Sequence, residues 1–409
     1  MNTDMSDIRT TVSMADGAAV RSMTADEALT DMGLYRDGAT MRAQLRRLTE
    51  VATRGWRIME VCGGQTFTLS RYRLEELLPA GITMIHGPGC PVCVTPASTV
   101  DEAIELAMRP GVTVCSFGDM IRVPGTVRHD SPGAITSLLR ARAAGADVRV
   151  LYSPLEALTI ARDNPSREVV FFAIGFETTT PVYALLAEAA ARGGVKNLSL
   201  LTSLFTVPAA VRAVVDDPES RVDALLAAGH VCAVTGLDDY HILASDLRMP
   251  VVVTGFEPVD MLAGILCAAE MLERGETGVV NAYGRVVSPE GSPRAVEAIR
   301  RVFEPCDSQW RGMGEISGGG MRLRPEFEQF DARKRFNLTT PIPSSLSSVP
   351  SSDTSSDGHR CLAPSIMKGL CSPSSCGAFG RECTPDHPVG APMVSSEGVC
   401  AAHYRYLRN

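Results

Sequence analysis

Three thiols set in an unusual backbone carry the first chemical signal in this chain. Cys90 and Cys93 lie in Gly87-Pro88-Gly89-Cys90-Pro91-Val92-Cys93, and Cys62 lies upstream in Glu60-Val61-Cys62-Gly63-Gly64. A Cys-x-x-Cys pair spans a loop short enough to close as a disulfide or to clamp one soft metal, and thiolate is the form that does either. Pro88 and Pro91 restrict the backbone on both sides of Cys90, while Gly87 and Gly89 are expected to take conformations closed to other residues. A structural zinc site would need a second pair at matching spacing, which the sequence lacks. Redox work or a shared metal is what this loop points to. Free cysteine is also a small buried apolar residue, and that reading is taken for Cys115, Cys232, Cys267 and Cys306.

The remaining sulfur is concentrated at one end. Of 12 cysteines, seven are spread between Cys62 and Cys306, whereas Cys361, Cys371, Cys376, Cys383 and Cys400 crowd the last 49 residues. Asp4, Asp7 and Arg9 interrupt any apolar stretch near the start, so no signal peptide is expected, and thiols in such a chain read as ligands or catalytic sulfur rather than structural disulfides. Cys361, Cys376, Cys383 and Cys400 are separated by 15, 7 and 17 positions with prolines and glycines between them, which suits an iron-sulfur cluster. Zinc is the alternative, because the spacing matches none of the common ferredoxin patterns and thiolates bind either metal.

Other polar residues lend less. His86, Asp119, His230, Asp238, Asp239 and His241 are read as structural, since no metal-ligating histidine spacing is present. Dinucleotide, P-loop and Gly-x-Ser-x-Gly signatures are absent, which removes the main support for nucleotide-driven and serine-nucleophile chemistry. A net charge of -8 argues against a nucleic-acid partner. The most apolar segments carry charges such as Glu257 and Asp260, so no membrane span and a cytoplasmic location are expected.

The elements that must position these groups follow one grammar. With 409 residues and 45% hydrophobic content the chain can bury two or three cores. Met41, Leu45, Leu48 and Val51 recur at helical spacing, and Arg57 to Val61 then reads as a strand delivering Cys62 at its end. Ile82 to Ile85 leads likewise into the cysteine loop, Val112 to Cys115 into Gly118-Asp119, and Asp147 to Leu151 into Ser153-Pro154. Such alternation predicts parallel sheets with ligands off the carboxyl ends of the strands. Gly175-Phe176-Glu177 and Gly255-Phe256-Glu257 echo one another; each glutamate singly reads as a cap or a solvated loop residue, and as a pair they could line a cleft. The fold class is α/β, with two related α/β units of mainly parallel sheets plus a small cysteine-rich iron-sulfur C-terminal domain. Boundaries are placed at 1–25 for a flexible extension, 26–110 for the first unit (continued by 230–300), 111–229 for the second, 301–336 for a connecting segment, 337–358 for a Ser/Pro-rich linker and 359–409 for the iron-sulfur domain.

These strings resemble the HypD family of hydrogenase maturation factors. Matching segments are Ile58 to Gly64, His86 to Val94, Phe117-Gly118-Asp119, Arg122 to Gly125, Tyr152-Ser153-Pro154, Gly175 to Thr179, Gly229-His230-Val231, Gly255 to Pro258, Trp310-Arg311-Gly312 and Met393 to Ala402. The resemblance implies assembly of the Fe(CN)2CO unit of nickel-iron hydrogenase with a HypC-type chaperone and a HypE-type cyanide donor, for the hydrogenase large subunit. Carried over by motif, Cys62 would hold the iron as a thiolate with a cysteine of HypC, and Cys90 and Cys93 would be the redox-active pair. A 4Fe-4S cluster on Cys361, Cys376, Cys383 and Cys400 would supply electrons.

The chain departs from the family pattern at Phe67, where a histidine is common, and at Ala363 and Pro392, where cysteines are common; a phenyl ring carries no proton. Cys371 is the alternative to Cys361 as fourth ligand. Two other functions stay open: a stand-alone iron-sulfur thiol-disulfide oxidoreductase, for which Cys62 is incidental, and a zinc protein that docks partners.

Overall fold

The structure, a computed structural model, describes residues 33, 35–126, 133–338 and 361–407. The extension at 1–25 and nearly all of the linker at 337–358 lie outside the described residues.

Alternation of apolar strands with amphipathic helices produces two sheets. Strands β1 (Trp56–Glu60), β2 (Ile82–His86), β3 (Val112–Ser116), β4 (Asp147–Val150), β5 (Glu168–Gly175), β6 (Leu198–Phe205), β7 (Ala224–Ala228), β8 (Pro250–Thr254), β9 (Gly278–Asn281), β10 (Phe303–Trp310) and β11 (Gly314–Leu323) follow in chain order. The first sheet is parallel throughout, in the order β2-β1-β7-β8-β9. The second runs β10-β11-β6-β5-β3-β4, parallel from β6 to β4 and antiparallel at the β10-β11 hairpin. In β5 every residue from Val169 to Gly175 is buried, as expected of a parallel strand covered on both faces.

Helix boundaries follow ordinary end chemistry. The helix Pro258–Arg274 starts with proline at its first turn and a capping box between Glu257 and Asp260, and Gly275 ends it in the left-handed region (φ 66°). Glu257 therefore does the capping work that one reading of Gly-Phe-Glu predicts, and it also pairs with Arg36 at 2.6 Å.

The sheets divide the chain differently from the sequence boundaries at two places. β7 lies in the first sheet, although its residues fall within 111–229; Ala224–Ala228 has weak strand propensity of its own, and burial between β1 and β8 makes it a strand. Residues 303–323, within the segment expected as a connection, form the hairpin that extends the second sheet, with the alternating burial of an edge strand in β10.

The units share one core. A single buried cluster contains Met59 and Leu225 of the first sheet, Val114 and Phe172 of the second, and Met367 and Val394 of the C-terminal residues. Beyond it, residues 361–407 have only a small cluster of their own, around Ala378, Cys383, Met393 and Ala401.

Candidate functional site

Adjacent parallel strands bring the thiols together. β1 and β2 pair with Glu60 opposite His86, so the loops leaving their carboxyl ends emerge side by side. Cys62 is the N-cap of the helix Gly63–Arg71, with extended backbone, and its Sγ accepts from the Gly64 N–H at 3.3 Å. Cys90 holds the same position before the short helix Pro91–Val94. The Gly63 N–H donates to Gly89 O at 3.0 Å, and the Gly87 N–H to Glu60 O at 2.8 Å. Neither Gly87 nor Gly89 takes a positive φ, contrary to the expectation of special backbone angles. What glycine supplies is space: a Cβ on Gly89 would overlap the Cys62 backbone, and one on Gly87 would lie 2.9 Å from Glu60 O.

Cys90 and Cys93 are joined as a disulfide, with Cα atoms 5.3 Å apart, and both are buried. Cys62 is a free thiol. Burial pushes its pKa well up, and the carboxylates of Glu60 and Glu397 add to that, against the Gln65 and Gly64 N–H groups.

His230 faces Cys62. Its Nδ1 and Nε2 lie 3.6 and 3.9 Å from Sγ, and its ring packs on Phe256 at 5.1 Å. Burial pulls the imidazole down to about 4, so it is neutral, resists protonation and keeps a lone pair to accept a hydrogen bond or bind a metal. The sequence reading set His230 aside as structural. The signal that singles it out is position: His230 stands two residues beyond the end of β7, as Cys62 stands two beyond the end of β1.

Behind Cys62 lies a buried acid-base brace. Glu60, fully buried, accepts from the Cys62 N–H at 2.8 Å and from the Thr66 hydroxyl, and it pairs with His86 Nδ1 at 2.7 Å. His86 Nε2 reaches Glu75 at 3.1 Å. Burial disfavours the charged imidazole, but the Glu75 charge and the bonds to both carboxylates outweigh it and hold the pKa at about 10. Asp238 and Asp239 occupy the first turn of the helix Asp238–Leu247, where acids complement the helix dipole. Glu177 is buried with its carboxyl pushed up to about 7 by desolvation, and it accepts from the Val207 N–H at 2.9 Å. It and Glu257 follow strands of different sheets.

The C-terminal cysteines gather round a second cavity. Cys361, Cys376, Cys383 and Cys400 all line it, together with Ala363 and Pro392; Cys371 is not among its walls. A Cβ on Gly390 would sit 2.6 Å from the Cys361 sulfur, and the Val389 N–H donates to the Cys383 sulfur at 3.4 Å. Burial and the neighbouring cysteines push the Cys400 thiol well up, and burial raises that of Cys383, so these two give up their protons most readily to a cationic group. Four thiols around an apolar cavity are a donor set that fits an iron-sulfur cluster. Among the described residues no three His, Cys, Asp or Glu side chains form a ligand set for a single ion.

The two sites adjoin. The pocket beside Cys90 and Cys93 is closed by Met367, Pro392, Glu397 and Val399, and Pro392 also lines the cysteine cavity. Phe67 contacts the C-terminal helix edge-on at Tyr406 (5.7 Å) beneath Arg71. Among the described residues no helix is long and apolar enough to cross a membrane.

Comparison with known proteins bears on the whole chain. The HypD family, described as "Hydrogenase formation hypA family", matches residues 39–407. The chain is 44% identical over 383 residues to the hydrogenase maturation factor HypD of Rhizobium leguminosarum bv. viciae, covering 91% of this chain and 94% of the relative. It is 44% identical to the HypD of Azotobacter vinelandii, covering 91% and 96%, and 42% identical to that of Escherichia coli K12, covering 90% and 93%.

Proposed function

The chain belongs to the HypD family of hydrogenase maturation factors, and from that premise we propose that it builds the Fe(CN)2CO unit of nickel-iron hydrogenase with a HypC-type chaperone and a HypE-type cyanide donor. The observation that carries this reading is the junction itself: a free thiol facing a neutral imidazole at 3.6 Å, beside a buried disulfide whose pocket shares a wall with four further cysteines.

Iron is the cargo here. Cys62, once deprotonated, is a soft anionic donor suited to the low-spin iron that cyanide and carbon monoxide require, and a partner cysteine supplies a second. His230 stands where its neutral ring can hydrogen-bond Cys62 or add its nitrogen to the iron. Glu60 fixes the Cys62 backbone through its N–H. Reduction of the Cys90–Cys93 disulfide takes up two electrons and two protons and leaves two thiols, a change matched to a two-electron step at the adjacent iron. Cys361, Cys376, Cys383 and Cys400 would hold a 4Fe-4S cluster, which supplies electrons one at a time when bound.

The test is anaerobic copurification with a HypC-type partner, read by iron content and by the infrared bands of bound cyanide and carbon monoxide. Wild type should carry those bands and Cys62→Ala should lose them, with hydrogenase maturation, while the fold persists. A Cys62→Ala protein that still matures hydrogenase and still turns over its dithiol would establish the stand-alone oxidoreductase instead.

A further inference from the structure

The two Gly-Phe-Glu strings place their aromatic residues differently. Phe176, after β5, is sealed at 4% exposure against Phe205 and Trp310. Phe256, after β8, is only partly buried, and its ring lies at the junction. A Cβ on Gly64 would sit 3.1 Å from the Phe256 ring and 3.6 Å from the Cys62 sulfur, so ring and sulfur flank one point.

The orientation of His230 is decided from that side. Nδ1 and Nε2 lie at 3.6 and 3.9 Å from Cys62 Sγ, nearly equidistant, so the sulfur by itself does not choose which nitrogen is presented. Histidine has a broad χ2 well, and an aromatic neighbour in contact narrows it. The imidazole packs on Phe256 with ring centroids 5.1 Å apart and the planes inclined at 45°.

Phe256 is held in turn. The Thr68 hydroxyl donates to its carbonyl at 2.6 Å, from the helix that Cys62 caps. Tyr283 meets the ring edge-on at 6.2 Å and fits there because Gly229 and Gly255 lack side chains; a Cβ on either would come within 2.6 Å of the tyrosine ring. Arg285 lies over Tyr283 at 4.4 Å and is pinned to Asp260 by hydrogen bonds of 2.8 and 2.6 Å. His230, Phe256 and Tyr283, each two residues beyond the end of β7, β8 or β9, thus form one column of rings that ends at Cys62.

We propose that Phe256 is a positioning residue of the iron site: its ring, backed by Tyr283, fixes the orientation in which His230 faces Cys62 and forms an apolar wall that keeps water from the small ligands of the cargo iron. The inference rests on the reading of Cys62 as the thiolate that holds iron. A phenyl ring offers cyanide no hydrogen bond and excludes the water that would, and the apolar shell of a metal site sets its solvent access and local dielectric.

The experiment uses the full chain, purified anaerobically with a HypC-type partner, and reads the positions of the cyanide and carbon monoxide infrared bands together with iron content. Phe256→Leu should keep the fold and move the bands away from their wild-type positions. Phe256→Ala should move them further and weaken iron retention about tenfold, the order expected of a group that positions a ligand. In the chain without its partner, alkylation of Cys62, located by peptide mapping, should quicken in the same order. Tyr283→Phe, which keeps the ring, should leave bands and alkylation at wild type, whereas Tyr283→Ala should follow Phe256→Leu. Should Phe256→Ala misfold, the leucine variant decides. Bands and alkylation unmoved in a folded Phe256→Leu protein would overturn the proposal, and lowered stability with unmoved bands would make Phe256 a packing residue only. Absence of the bands from wild type would refute the functional reading instead, and the alkylation series then still decides whether Phe256 walls off Cys62.

Discussion

The two thiol sites are built on opposite plans. At the junction, Cys62 and Cys90 sit at the carboxyl ends of neighbouring parallel strands, locked by backbone hydrogen bonds from Gly63 and Gly87 and by the buried Glu60–His86–Glu75 brace. In residues 361–407 the four cavity cysteines ride on turns and short helices, with a core of a few side chains. A site carried by paired strands is complete before anything binds. A small cysteine-rich module draws its stability largely from what its thiols hold.

Metal removal breaks the comparison most sharply. Chelation under reducing conditions should unfold residues 361–407 while both sheets keep their protection, as read by hydrogen exchange; uniform loss of protection would show the two regions to be one cooperative unit. At the junction, Gly89→Ala should cost about 1–3 kcal/mol in denaturant unfolding, because a methyl group there meets the Cys62 backbone. A Gly89→Ala protein as stable as wild type would mean that the loop holds Cys62 less closely than the geometry indicates.

Cysteine replacement sharpens the contrast within the C-terminal module. Cys361→Ala should lose iron and acid-labile sulfide, whereas Cys371→Ala, outside the cavity walls, should keep both; elemental analysis decides.

Acidity separates the two histidines of the junction. His86 is raised to about 10, so its contribution to stability is full below pH 6.5 and disappears as pH rises through 10. His230 is lowered to about 4, so the stability linked to its neutral form is present above pH 6.5 and is lost as pH falls through 4. Denaturant titrations across pH should show an alkaline decline that His86→Gln removes and an acid decline that His230→Gln removes. The smallest effect is expected at Phe67→His, which exchanges one ring for another on Tyr406 and should shift stability by no more than about 1 kcal/mol.

The sequence by itself determined the class of fold and which residue types stand where chemistry could be done. The spacing around Cys62, Cys90 and Cys93 announced thiol work, the crowding of cysteines after Cys361 marked a separate group, and strand-then-glycine runs predicted parallel sheets; all of these are local patterns that a short window contains. Tertiary structure alone decided which groups meet. His230 faces Cys62 across 168 positions because β7 slots beside β1, which no periodicity near residue 224 announces. Two buried carboxylates, Glu60 and Glu75, keep His86 protonated against its burial, whereas burial without a charged partner leaves His230 neutral, although both are the same side chain. Pro392 shows its meaning only when both cavities are in place on either side of it. Chemistry is written in residue types, but partnership depends on strand order and burial, and those are properties of the whole chain.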